Sequence, residues 1–189
     1  MFIDIKVLRS LMKEAYKTSL HVAQTEGRVY IAGGYWEIDV DKRDMPKQVM
    51  AQIIELAGEV PEIGERKRYY KLKTGDVQES ENGRMEVEEK IVTDETPELT
   101  KIILLDVFGT ANRLLQSETG IYIVNDVFVA ASQGERDEEK ETAPKMFLTE
   151  GCGVLWKTNM ARMKCRLKTD RSHERLLEEL KMLNLTEDE

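Results

Sequence analysis

The feature that most constrains this chain is a piece that occurs twice. Gln24-Thr25-Glu26, Val29-Tyr30-Ile31, Gly33-Gly34 and Tyr35-Trp36 return as Gln116-Ser117-Glu118, Ile121-Tyr122-Ile123, Asn125-Asp126 and Val127-Phe128, at a constant offset of 92 positions. A repeat that long points to a duplicated small domain rather than to a solenoid unit, whose period rarely exceeds about 50 residues. Each copy follows a helical pattern. The expected fold class is therefore α+β: two similar helix–hairpin–helix–hairpin units from an internal duplication, with mostly antiparallel sheet. The units would be residues 1–92 and residues 93–189, the latter with a C-terminal helix, or one compact domain with pseudo-two-fold symmetry.

In the first unit, residues 2–5 read as a short strand, and Leu8, Leu11, Met12, Ala15 and Ser19 recur at helical spacing. A hairpin turning at Gly33-Gly34 would put Val29, Ile31, Trp36, Ile38 and Val40 on one face. Asp44 and Pro46 open a second helix that Gly58 ends, followed by strands at 68–73 and, after Asn82-Gly83, at 84–92. In the second unit, Thr96-Pro97-Glu98 reads as a helix start, with Leu99, Ile103, Leu104, Val107, Phe108, Ala111 and Leu115 on its buried face. A hairpin at Asn125-Asp126 follows, then a charged run at 134–141 that reads as a mobile loop. A short helix near 143–151, strands at 154–157 and 161–168, and a last amphipathic helix close the chain.

Composition narrows function mainly by exclusion. The sequence has 189 residues, 34% of them charged and 41% hydrophobic, with net charge −8. That is globular composition, and the acidic balance disfavours general adhesion to nucleic acid. No apolar run reaches membrane-spanning length, and Asp4 falls where a signal peptide needs unbroken apolar residues. Cys152 and Cys165 lack CxxC spacing and suit two reduced thiols. The expectation is a cytoplasmic protein with no cofactor and no membrane partner.

Two basic arrays stand out as a candidate surface. Arg162, Lys164, Arg166 and Lys168 alternate along one face of a strand, roughly 6.5–7 Å apart, where they could meet phosphates or be neutralised by acidic neighbours such as Glu86 and Glu88. Lys6, Arg9, Lys13 and Lys17 form a stripe on the first helix. In the second hairpin, Tyr122, Val124, Val127 and Val129 make a second apolar face, a candidate subunit interface or the inside of a covered sheet. Catalytic signals are thin. Cys152 between two glycines needs a base that His173 would have to supply. Asp39, Asp41 and Asp44 could share a hard cation, or simply end a strand and cap a helix. Glu88-Glu89-Lys90 matches the E-x-K piece of metal-dependent nucleases, a tripeptide that any glutamate-rich chain contains by chance.

The order strand, helix, hairpin, helix, hairpin, run twice, resembles the repeating unit of DNA sliding clamps. Phe2-Ile3-Asp4-Ile5 leading into Leu8-Arg9-Ser10-Leu11 is similar to the way bacterial clamp chains begin. That resemblance implies helices lining a ring around DNA, a role the Lys6, Arg9, Lys13, Lys17 face would suit. The residues themselves favour a non-enzymatic binding or assembly module of a bacterium or phage, with a protein partner or a second copy. A clamp-like DNA-associated factor is the alternative, and a metal- or cysteine-dependent enzyme the third reading.

Overall fold

The computed structural model describes residues 1–92, 96–169 and 173–186. In chain order their elements are α1 (Ile5–Tyr16), β1 (Leu20–Gln24), β2 (Arg28–Ala32), β3 (Trp36–Asp41), α2 (Lys47–Ala57), β4 (Arg66–Leu72), β5 (Gly75–Ser80), β6 (Glu98–Leu105), β7 (Ala111–Ser117), β8 (Gly120–Asn125), α3 (Asp126–Ala131), β9 (Lys145–Thr149), β10 (Gly153–Lys157), β11 (Ala161–Arg166) and α4 (Glu174–Leu180). The strands build an eight-stranded sheet in the order β5-β4-β1-β2-β3-β11-β10-β9 and a three-stranded sheet β6-β7-β8. Every strand pairing is antiparallel. No helix among the described residues is long and apolar enough to cross a membrane.

Some local expectations correspond to what forms: the amphipathic first helix turns Leu8, Met12 and Ala15 inward. Its cap, unforeseen in the sequence, is Asp4, which accepts from the Val7 amide at 2.8 Å. Gly58 ends α2 in the left-handed conformation, its amide donating to the Ile54 carbonyl. These helices and α3 cover one face of the large sheet, where Val22, Val29, Ile31, Ile38, Val40 and Met163 form the main core. The β2–β3 turn lies one residue later than the glycine pair suggested. Gly33 and Trp36 close it through a 2.9 Å backbone bond, leaving Gly34-Tyr35 as the turn. Ile31 then sits opposite Ile38, and the inward-facing set is unchanged because strand faces alternate with period two.

The helix–hairpin–helix–hairpin units do not form, and the second half departs most from expectation. Residues 98–117, read as a helix, are the β6–β7 hairpin. Their three- and four-residue apolar spacing fits a helix, but Ile102-Ile103 is β-branched and Asp106-Val107-Phe108-Gly109 is a turn with Asp first and Gly last. Gly109 has φ 76°, and the Asp106 side chain accepts from the Phe108 and Thr110 amides, each at 2.9 Å. Asn125-Asp126 is no hairpin turn: Asn125 ends β8 and caps α3, accepting from Val127 N at 3.0 Å. Residues 145–149 are strand β9 instead of a helix, and residues 2–5 form no strand: Phe2 and Ile3 are a buried lead-in to α1, which starts at Ile5. The 84–92 segment, expected as a strand, is a strap laid across the large sheet, its own Val87 buried against Ala23, Tyr30 and Leu155. The run at 134–141 is anchored, since the Gly134 amide donates to the Phe2 carbonyl and Glu141 is buried beside the Met1 amino group at 3.2 Å.

What the sequence repeat encodes is smaller than a domain. β1–β2 and β7–β8 are hairpins of equivalent register, with Gln24 opposite Val29 and Gln116 opposite Ile121. After them the copies diverge, into strand β3 in one case and helix α3 in the other. The large sheet runs through both halves, because β11 pairs with β3. The expected boundary after residue 92 abuts residues 93–95, which lie outside the described residues.

Candidate functional site

The face of the large sheet opposite the main core carries the alternating cations of β11. Arg162 and Lys164 of β11 do lie on one face, but neither is bare. Across the ladder Arg162 is paired with Asp39 and Lys164 with Glu37. The Arg162 guanidinium reaches Asp39 at 2.8 Å, Glu89 at 2.6 Å and Glu86 at 3.3 Å. Lys164 lies 3.8 Å from both Glu37 and Glu88. Asp39, fully buried, also pairs with Arg28 and accepts the Val87 amide at 2.7 Å, which pins the strap to the sheet. Burial alone would raise the Glu89 carboxyl, but hydrogen bonds from Lys157 and Arg162 outweigh it and hold the group below the ordinary glutamate value. Lys168, beyond the end of β11, pairs with Asp106 at 2.8 Å. Arg166 is exposed and has no side-chain partner among the described residues. Of the two outcomes open to these alternating cations, Arg162, Lys164 and Lys168 take ion pairing, and among the described residues Arg166 is left as an unpaired guanidinium at one end.

The remaining candidates are dispersed. On α1, Lys6 and Lys13 are exposed, Lys17 pairs with Glu14 at 2.7 Å, and Arg9 donates to Gln52 of α2 at 3.0 Å. Asp39 is committed to its arginines, and Asp41 accepts from Arg43. Among the described residues no group of three or more His, Cys, Asp or Glu side chains is disposed to hold a metal ion. Cys152 is exposed at the β9–β10 turn with φ 59°, while His173 is the N-cap residue of α4. Cys165 is buried, which pushes its thiol well above the ordinary value. The expected apolar interface is divided: Val124 and Val129 belong to the main core, Tyr122 packs against it, and only Val127 is exposed.

The two most exposed large apolar side chains among the described residues lie elsewhere, at the tip of β6–β7. Val107 is 93% and Phe108 90% exposed, and Ile103 and Leu105 continue the strip along β6. Leu99 and Leu115, paired across β6–β7 on the same sheet face, pack against the main core, and the distal half of the hairpin overhangs it. The other face of this small sheet has its own cluster, with Leu114, Ile121 and Ile123 packed against Leu177 and Leu180 of α4. Sequence reading missed this tip by placing Val107 and Phe108 inside a helix; the Asp-x-x-Gly turn was the available signal.

Asp106 tethers the tip to the chain after β11. The Lys168 ammonium and the Thr110 and Phe108 amides hold its carboxyl at about 2, against an ordinary 3.8. A carboxyl depressed on folding stabilises the native state above its unfolded pKa and loses that contribution as pH falls through the folded one. The wild type should therefore melt above Asp106→Asn at pH 5, and the gap should close between about pH 4 and pH 2. A gap independent of pH in thermal melts would contradict this tether.

Comparison with known proteins finds no matching family model, no matching curated protein and no matching solved structure. The element order on which the sliding-clamp resemblance rested is not the one this chain adopts.

Proposed function

We propose that this protein is a non-enzymatic binding or assembly module that docks a protein surface through the β6–β7 hairpin. The observation that carries the reading is the bare tip, where Val107 and Phe108 project into solvent beside Ile103 and Leu105. Contiguous exposed apolar side chains on a structured hairpin are characteristic of interaction sites. The turn is well built, since the Asp106 carboxylate accepts two of its backbone amides, and ordering costs on docking would be small.

The test is a Val107→Asp/Phe108→Asp double variant. Both side chains are exposed, so the melting temperature should barely move. The wild type should show a defined heavier species, either in light scattering at rising concentration or as one discrete adduct from a photo-crosslinking residue at position 107 in cells. The variant should lose it. If the wild type stays monomeric and gives no discrete adduct, the reading fails.

A further inference from the structure

On the large sheet, three side chains are linked by two short hydrogen bonds. Ser19 Oγ lies 2.7 Å from His21 Nε2, and His21 Nδ1 lies 2.7 Å from Glu81 Oε2. Ser19 immediately precedes β1 and His21 lies within it, so both point to one side of extended backbone. That side is opposite the main core, because Leu20 between them and Val22 after them are core residues. Glu81 arrives from the end of β5, where its amide donates to the Arg66 carbonyl of β4, the strand beside β1.

The surroundings fix where the protons sit. Burial alone would raise the Glu81 carboxyl, but hydrogen bonds from His21 and Arg66 hold it below the ordinary glutamate value. An ionised carboxylate only accepts, so the neutral His21 ring carries its proton on Nδ1 and offers Nε2 as an acceptor. Arg66 stands beside this contact, its Nε donating to Glu81 at 3.2 Å and its Nη2 lying 3.3 Å from Nδ1. At the other end, Arg68 Nε donates to Ser19 Oγ at 2.9 Å, and a guanidinium has no acceptor to give back. The Ser19 hydroxyl proton is therefore aimed at His21 Nε2. The His21 and Glu81 side chains are 18% and 24% exposed, which shelters the base, and Ser19 is half-buried.

A hydroxyl hydrogen-bonded to a base that a third group orients is the arrangement that activates serine toward an acyl carbon. The Arg68 fork beside Oγ has further N–H groups to receive charge developing on an attacked carbonyl oxygen. We propose that Ser19 is an activated nucleophile that accepts an acyl group from an activated ester, with His21 as general base and Glu81 as positioning residue. Ser19 Oγ attacks the acyl carbon, a C–O bond forms, and the hydroxyl proton passes to His21 Nε2. The tetrahedral species then collapses, the bond to the leaving oxygen breaks, and the proton moves from Nε2 to that oxygen. The products are the O-acylated chain and a free alcohol, with the ring neutral again. One such round makes the chain a covalent acceptor rather than an enzyme, and the step does not depend on docking through β6–β7.

The test treats the full chain with p-nitrophenyl acetate at about pH 8, where an ordinary histidine is neutral, and reads acetylation by peptide mass. Ser19 should be acetylated about 100-fold faster than Ser80, an exposed serine of β5, and His21→Gln should remove that advantage. The ring ¹⁵N shifts of His21, assigned with the same variant, should show the proton on Nδ1 in the wild type. In Glu81→Gln that proton should redistribute toward Nε2 and acetylation should slow, which a merely structural glutamate would not cause. A single equivalent of p-nitrophenolate, abolished by Ser19→Ala, supports the proposal as stated. Continued release that Ser19→Ala abolishes supports the nucleophile and overturns the non-enzymatic reading instead. Acetylation of Ser19 no faster than that of Ser80 overturns the proposal, and so does a wild-type His21 proton on Nε2.

Discussion

Replacing Asp39 with alanine is expected to lower the melting temperature by about 10 °C, the largest effect of any single polar substitution in this chain. Asp39 is fully buried and serves three groups at once: Arg28 of β2, Arg162 of β11 and the Val87 amide of the strap. Its removal leaves two mostly buried guanidiniums without their shared anion and one amide without its acceptor. Breaking a buried pair from one side costs about 3–5 kcal/mol, because the desolvated partner keeps its penalty and loses its compensation. The loss also reaches the strap, since Val87 is held over Ala23, Tyr30 and Leu155 by that amide bond. Arg162→Gln should cost less, because Asp39 would keep Arg28. Thermal melts of the two variants check the ordering, and a drop of under about 2 °C for Asp39→Ala would show that the network is dispensable.

Gly134→Ala is expected to destabilise the fold by about 2–4 kcal/mol, although the residue sits in a charged loop. A Cβ at 134 would lie 2.5–2.6 Å from backbone atoms of Ile3 and Asp4, which no side-chain rotation can relieve. The clash falls where the Gly134 amide donates to Phe2 at 2.6 Å and the Asp4 amide donates to Ala131 at 2.7 Å. Phe2 and Ile3 are each 1% exposed, and Asp4 caps α1, so moving this clasp loosens core packing and a helix start together. Gly27, where a Cβ would meet nothing within 4 Å, provides the control, and Gly27→Ala should be close to neutral. Faster hydrogen exchange at the Asp4 amide should accompany the loss. Equal melting temperatures for the wild type and Gly134→Ala would rule the clasp out as a stabilising contact.

Local patterns in the sequence were reliable where one residue or a short alternation decides the backbone. Gly58 marks a helix end, and the period-two run through Ala161, Met163 and Cys165 marks a strand with its buried side. The faces of β2 and β3 were legible even with the turn displaced by one residue, because a shift in the pairing that preserves parity preserves the face. The repeated letters cover a hairpin of common register in both places, and beyond it matched letters carry no matched structure, so two similar units do not form. Among the site residues, the alternating cations were visible, and so were Glu86 and Glu88 as acids that could neutralise them, whereas Asp39 and Glu89 as partners of Arg162 were not, because pairing across the sheet and the path of the strap leave no periodic signal.

By itself the sequence determined the amphipathic first helix, the end of α2 at Gly58 and the alternating strands with their shared faces, since these depend on neighbours one to four residues away. Only the tertiary structure decided that residues 98–117 form strands, that β3 and β11 pair across the middle of the chain, and that Arg162, Lys164 and Lys168 are ion-paired while Val107 and Phe108 stay bare. The physical reason is that an apolar spacing such as that of Leu99, Ile103 and Leu104 can be buried by a helix or by a hairpin. Which one wins depends on partners distant in sequence, whose contacts add free energy that no local pattern records.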